Sequence, residues 1–379
     1  MHTLPPITLY IHIPWCVKKC PYCDFNSHEQ KTSLPEEDYI NRLISDFDAH
    51  RSELHHRPIN AVFIGGGTPS LFKPQSLNRL LRHIRNTHPC SQSIEITMEA
   101  NPGTVEYYDF AELRATGINR LSLGIQSFNA DMLKSLGRIH SPDEALLAIN
   151  KAKHSGFDNI NLDLMFGLPH QTQQQALDDL HLAIAQKPQH ISWYQLTIEP
   201  YTAFYYKKPP LPNQDHIWEM QQEGVKTLHN NAYPGYEISA YSQSRVCQHN
   251  LNYWLFGDYL GLGAGAHSKL TCPKTGTITR TWRHKHPKTY LSNDHFIAGK
   301  RILRPDELPL EYLMNRLRLN QALSQSDYVH ATGCSWTALQ SKIAANDTHD
   351  WINMDEKQLN LINPAYLDEI LGWFLPNDT

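Results

Sequence analysis

Three cysteines fall within eight residues near the start of the chain, Cys16, Cys20 and Cys23, in the run YIHIPWCVKKCPYC that opens at Tyr10. Thiolates are soft ligands, and CxxxCxxC spacing can wrap one corner of a cubane iron–sulfur cluster. Three thiolates serve three irons of a [4Fe-4S] cluster. The fourth iron then needs another ligand, and the amino and carboxylate groups of S-adenosylmethionine can chelate it. An electron from the cluster could then cleave the sulfonium. The bland alternatives are a zinc site short of one ligand and buried structural cysteines. Position argues against both, because CxxxCxxC lies just past the first predicted strand and the aromatic Tyr22 precedes the third cysteine.

The elements that must position these thiols can be read on either side of them. Short β-rich runs at 7–13, 61–64, 94–98, 120–124, 160–165 and 192–198 are each bounded by Gly, Pro or polar residues. Amphipathic helix patterns lie between them, one over about 35–54 and the clearest over 142–155. The second has Ser141 as N-cap, Pro142 in the first turn, Glu144 three residues after the cap and Gly156 as terminator. Repeated β–α units with buried strands imply a parallel sheet, and six units imply a partial (β/α)6 TIM-like barrel. From about residue 306 the texture changes. Helices are expected over 310–323, 326–333, 335–346 and 365–374, with a strand at 358–362. This reads as a small, mostly helical, winged-helix-like domain, so we divide the chain at 1–300 and 301–379. The Thr-, Lys- and Pro-rich stretch 269–283 reads as an exposed loop.

Barrels of this kind keep their sites at the C-terminal ends of the strands. Polar features fall at or near successive ends: GGGTPS at 65–70, Glu99 in EANP, Gln126 in GIQS, Arg138 in LGRIH and Asp163 in DLMFGLP. Glycines allow close backbone approach and offer N–H groups to a carboxylate or hydroxyl. An acidic group at position 99 can accept from a ribose diol. Glu199 is also well placed, and His12 reads as a residue that packs or hydrogen-bonds within its strand.

CxxxCxxC with an aromatic residue at the place of Tyr22 resembles the radical SAM superfamily. YIHIPWC, GGGTPS, EANP, GINRLSLGIQSF, LGRIH and DLMFGLPHQT narrow the resemblance. They are similar to the subfamily of oxygen-independent coproporphyrinogen III oxidase (HemN) and the related HemW heme chaperones. It spans about residues 7–270, with a matching small C-terminal domain. The resemblance implies that Cys16, Cys20 and Cys23 ligate the cluster. It also implies that Tyr10, Tyr22, Gly66, Gly67, Thr68, Glu99, Gln126, Arg138 and Asp163 contact S-adenosylmethionine. Two departures separate the subfamily's branches. The oxidases carry a fourth cysteine two residues after the third, where this chain has Phe25, and a long extension before the YIHIP-like segment, where nine residues precede Tyr10. HNLNYW at 249–254 resembles the HNxxYW heme-binding motif of the chaperones. His249 would ligate heme iron, as imidazole commonly does. Asn250 belongs to the same motif, and Tyr253 and Trp254 offer flat apolar faces to a porphyrin. Cys247 is an alternative thiolate ligand nearby.

The expected function is therefore a heme chaperone that passes heme to an acceptor such as a respiratory heme protein. The alternative is oxidative decarboxylation of coproporphyrinogen III to protoporphyrinogen IX. Composition agrees with a soluble, cytoplasmic protein. The formal net charge of −4 gives no reason to expect a nucleic-acid partner, and 22 histidines hint at metal or porphyrin chemistry. The start has no basic stretch leading into an apolar run, and nothing reaches the roughly 18 consecutive apolar residues of a membrane span. Docking on a membrane protein and homodimerisation stay open. Seven cysteines, an odd number, suit a reducing compartment better than a disulfide framework, and Cys90, Cys272 and Cys334 have no partner spacing.

Overall fold

The apolar runs bounded by Gly and Pro become strands, and all six stand side by side in chain order. They are β1 (Ile7–Ile13), β2 (Ile59–Gly66), β3 (Cys90–Ala100), β4 (Arg120–Gln126), β5 (Ile160–Phe166) and β6 (His190–Gln195), each parallel to the next. The computed structural model describes residues 4–30, 33–104, 109–347 and 349–375. Beyond β6 the sheet continues through two short antiparallel strands, β7 (Gly235–Glu237) and β8 (Ala240–Ser242). Beyond β1 it continues through β9 (Asp258–Leu262), parallel to β1, then antiparallel β10 (His267–Thr271), β11 (Ile278–Arg283) and β12 (Ile297–Ile302). The order β12-β11-β10-β9-β1-β2-β3-β4-β5-β6-β8-β7 is that of an open, partial barrel.

Alternation along each strand sorts its side chains. Ile7, Leu9, Ile11 and Ile13 are buried in the core with Tyr39, Ile40, Leu43 and Phe47 of helix α1 (Glu36–His50). The intervening Tyr10 faces Phe63 of β2 inside the barrel. Helix α2 (Pro142–His154) forms as read. The Ser141 hydroxyl accepts from the Glu144 N–H at 3.2 Å, and the Glu144 carboxylate accepts from the Ser141 N–H at 2.6 Å. Gly156 follows at φ +82°, a conformation that favours glycine. Ser141→Ala is expected to cost about 1 kcal/mol of stability, read as a lower urea midpoint at unchanged slope.

Two expectations need correction. The stretch 269–283 is a hairpin, not a loop, formed by β10 and β11. Its polar composition misleads because Lys269 is 2% exposed and its ammonium pairs with Asp258 of β9 at 3.2 Å. The helix expected over 310–323 ends earlier, as α4 (Leu308–Arg316). After it come β13 (Leu323–Ser324), α5 (Gln325–Thr332), α6 (Trp336–Asn346), β14 (Ile352–Met354) and β15 (Gln358–Leu361). This is the element order of a winged helix, around a cluster of Leu313, Tyr328, Trp336 and Ile370 that also takes in Phe256 and Ile278.

Candidate functional site

The C-terminal ends of β1–β6 open onto a cavity of about 420 Å³. Cys16, Cys20, Tyr22, Cys23, Gly66, Gly67, Thr68, Glu99, Gln126, Arg138 and Asp163 all line it. The loop that carries the cysteines is tied to the strand ends by backbone bonds. Gly67 N donates to the Ile13 carbonyl and Thr68 N to the Trp15 carbonyl, both at 2.7 Å. The Lys19 ammonium donates to the carbonyls of Phe25 at 3.0 Å and Ser27 at 3.2 Å, closing the loop on itself. A Cβ on Gly67 would stand 2.4 Å from the Trp15 carbonyl oxygen, and one on Gly66, at φ +111°, 2.4 Å from the His12 ring. Glycine is what lets these segments meet. Gly66 N itself donates to Glu99 at 3.0 Å, so the N–H groups of Gly66, Gly67 and Thr68 all serve protein acceptors.

Tyr10 is not on the cavity wall. Its hydroxyl bonds His12 Nδ1 at 2.8 Å, and His12, two residues nearer the strand end, takes the layer against the glycines. Phe25 is 59% exposed at the rim.

The thiols fit a cluster. All three are free thiols on the wall of one cavity, and a cubane takes one thiolate per iron. Arg138 Nη1 lies 3.8 Å from Cys20 Sγ and the Ser27 hydroxyl 3.7 Å from Cys23 Sγ. Arg138 Nη2 donates to the Gly124 carbonyl at 2.6 Å, while its buried Nε has no partner among the described residues. A free guanidinium donor on the wall suits an anionic ligand group such as a carboxylate. Gln126, at φ +68°, ends β4 at a register shift and accepts from the Tyr194 hydroxyl at 2.8 Å.

Two carboxyls share the inner wall. Asp163 accepts from Ser122 at 3.0 Å and Asn161 at 2.8 Å, and burial pushes it up. Burial first, then the neighbouring Asp163, pushes Glu99 up to about 7. A raised carboxyl contributes stability below its unfolded value, about 4.3. That contribution is lost as pH rises through about 7. In the ligand-free chain Glu99→Gln is therefore expected to match wild type at pH 4 and to exceed it above pH 8, by on the order of 3 kcal/mol. Denaturant midpoints across that range check it.

Ser122, Asn161, Ser192 and Tyr194 were missed in the sequence, although a signal was there. Strands buried on both faces read as continuous apolar runs. Polar residues at alternate positions, as in RLSLGIQ and INLDLMF, mark the face that lines a lumen.

Below the cavity, helix α3 (Gln248–Trp254) plugs the opposite end of the barrel. Asn252 donates to the Thr8 hydroxyl at 3.2 Å and to the Asp258 carbonyl at 2.8 Å. Glu95 caps the first turn through Gln248 N at 2.9 Å and His249 N at 3.5 Å. His249 is 2% exposed, its ring centroid 4.7 Å from Tyr253, 5.0 Å from Phe63 and 6.2 Å from Tyr10. Burial pushes it down to about 3, against a hydrogen-bonding Asn250 side chain that acts in the opposite direction. Asn250 and Trp254 are half-buried on the same helix. Cys247, immediately before it, is buried, and burial pushes its thiol up to about 12, which makes a resting thiolate there unfavourable.

The description of the radical SAM superfamily matches residues 10–183. The heme chaperone HemW of Haemophilus influenzae is 48% identical over 385 residues, covering 100% of both chains. That of Escherichia coli is 47% identical over 378 residues, 99% of this chain and 100% of its own. That of Bacillus subtilis is 35% identical over 71% of this chain and 72% of its own. The solved structure of the E. coli coproporphyrinogen III oxidase HemN, a radical SAM enzyme, superposes with a TM-score of 0.82 at 22% identity, over 98% of this chain and 90% of that one. At that identity the likeness concerns the fold.

Proposed function

This chain belongs to the HemW heme chaperones of the radical SAM superfamily, and we propose that it binds heme and passes it to a heme-accepting protein. In this reading Cys16, Cys20 and Cys23 hold a [4Fe-4S] cluster in the upper cavity, and S-adenosylmethionine lies beside it. When bound, that pair supplies one-electron chemistry at the sulfonium. Around it Arg138 offers its free Nε to a carboxylate, Glu99 accepts from ribose hydroxyls, and Tyr22, Gly66, Gly67, Thr68, Gln126 and Asp163 shape the wall.

The observation that carries the heme reading is His249. It is an imidazole held neutral by burial, with the Asn250 side chain beside it, on a helix that closes the barrel's other end. Neutral imidazole is the form that ligates heme iron. The ring is covered as the helix stands. Heme therefore enters as α3 shifts, with Tyr253 and Trp254 lending planar faces. Among the described residues no helix is long and apolar enough to cross a membrane. A membrane-bound acceptor would be met from one face, by a single chain or a pair.

An anaerobic heme titration of cluster-reconstituted protein, followed by absorption, tests this. Saturable binding near one heme per chain, with an altered spectrum in His249→Ala, is the expected result. No specific binding would remove the carrier reading. So would decarboxylation of coproporphyrinogen III above a Cys16→Ser control.

A further inference from the structure

The segment that leaves β4 carries two of the cavity's polar groups. Gln126 ends the strand at φ +68°, a backbone conformation that side chains of its size rarely adopt, and Arg138 closes the segment that follows. Such a residue persists where its surroundings hold it in place. Asp179, from the helix Gln173–Ala185, supplies the hold and is 2% exposed. One carboxylate oxygen accepts from the Ser127 hydroxyl and the other from the Phe128 N–H, both at 2.6 Å. The Ser127 oxygen accepts from the Asn129 N–H at 3.0 Å. The Asn129 side chain then caps the short helix Ala130–Ser135, accepting from the N–H groups of Asp131 at 2.9 Å and Met132 at 3.2 Å. After that helix Gly137, at φ +67°, turns the chain back, and the Arg138 N–H donates to the Leu133 carbonyl at 2.9 Å. A line of hydrogen bonds thus runs from Asp179 to the segment that delivers Arg138.

Among the described residues no cation pairs with Asp179, and the charge that acts on it, Asp178, is of like sign. Burial pushes its carboxyl up to about 6, opposed by its two donors. A buried carboxylate without a cation costs stability, so packing alone gives no reason for it. What it offers is two acceptor oxygens and no donor, which holds a hydroxyl and an N–H in one orientation. Asp179 does not itself line the cavity. We propose that Asp179 is a positioning residue: by clamping the turn 127–129 it sets Gln126 and Arg138 against S-adenosylmethionine. The proposal rests on the S-adenosylmethionine reading above.

The test titrates S-adenosylmethionine, by anaerobic calorimetry, into cluster-reconstituted wild type, Asp179→Ala, Asp179→Asn, Ser127→Ala and Ser141→Ala. Asp179→Ala should bind about tenfold more weakly, the scale of one hydrogen bond to a charged group, with cluster content unchanged. Asp179→Asn should recover most of that loss, because its oxygen can accept from Phe128 while its amide donates to Ser127. Ser127→Ala removes one of the two links and should fall between. Before S-adenosylmethionine is added, amide exchange over 126–138 should quicken in Asp179→Ala while β1 and β2 keep wild-type protection. Undiminished affinity in Asp179→Ala overturns the proposal, as does exchange that quickens throughout the sheet. An equal loss of affinity in Ser141→Ala, which loosens a helix that carries no cavity residue, overturns it too, since general destabilisation would then suffice. If Asp179→Ala does not fold, Ser127→Ala decides: weaker binding supports the clamp and unchanged binding overturns it. Wild type that binds no S-adenosylmethionine defeats the cofactor reading itself, an outcome distinct from undiminished affinity in the variants.

Discussion

Cys20→Ser is expected to retain no more than a trace of iron after anaerobic reconstitution with iron and sulfide. A serine hydroxyl is a poor replacement for a soft thiolate. The effect should exceed the roughly 10–100-fold loss of metal affinity that follows removal of an outer-shell partner. Cys20 shares its cavity with Cys16 and Cys23 and stands against Arg138, whereas Cys90, Cys272 and Cys334 lie outside it. Iron and sulfide content, with the broad visible absorption of the cluster, should therefore collapse in Cys16→Ser, Cys20→Ser and Cys23→Ser. Both should persist in Cys90→Ser, Cys272→Ser and Cys334→Ser. Circular dichroism should stay unchanged throughout, because the loop is held by backbone bonds to Ile13 and Trp15 rather than by the thiols. A full cluster in Cys20→Ser would refute the ligand assignment.

The second large effect concerns the scaffold. Asp46 of α1 and Arg283 of β11 form an ion pair at 3.1 Å with both side chains fully buried. Asp46 also accepts from the Tyr290 hydroxyl at 2.8 Å, and His50 stands 2.9 Å from it. Asp46→Ala leaves the Arg283 guanidinium buried and unpaired, and is expected to destabilise the protein by about 3–5 kcal/mol. Burial alone would push Asp46 up, but Arg283 and His50 outweigh it and hold the carboxyl below its ordinary value. A depressed carboxyl contributes stability above the unfolded value, about 3.9, and loses it as pH falls through the folded one. Urea midpoints of wild type and Asp46→Ala should therefore differ most near pH 7 and converge below about pH 4. A constant gap would place the effect in lost packing rather than in the charge.

Much of the site was legible because it rests on local rules. CxxxCxxC places three thiols in one short loop, whatever the rest of the chain does. Apolar runs bounded by Gly, Pro or polar residues marked the six strands β1–β6, and of the twelve residues that the motif and the resemblance named for the cluster and S-adenosylmethionine, eleven line the cavity. GGGTPS, Glu99, Gln126, Arg138 and Asp163 drew notice through the rule that such barrels bind at one end. Ser141 and Glu144 announced a helix start because a capping box is made within four residues.

What tertiary structure alone decided involves partners far apart in the chain. Tyr10 was expected to contact S-adenosylmethionine, but depth inside a barrel depends on the register of β1 against β2, which sets Tyr10 beside Phe63 and brings His12 against Gly66. Lys269 read as a loop residue until Asp258 was seen beside it in a neighbouring strand. HNLNYW could be read as a motif, yet not as a plug, because its burial comes from Tyr10, Phe63 and Thr8 on β1 and β2, roughly two hundred residues away. Residue type and spacing determined which chemistry this chain can carry. Register and burial, which no local window contains, determined which groups remain free to carry it.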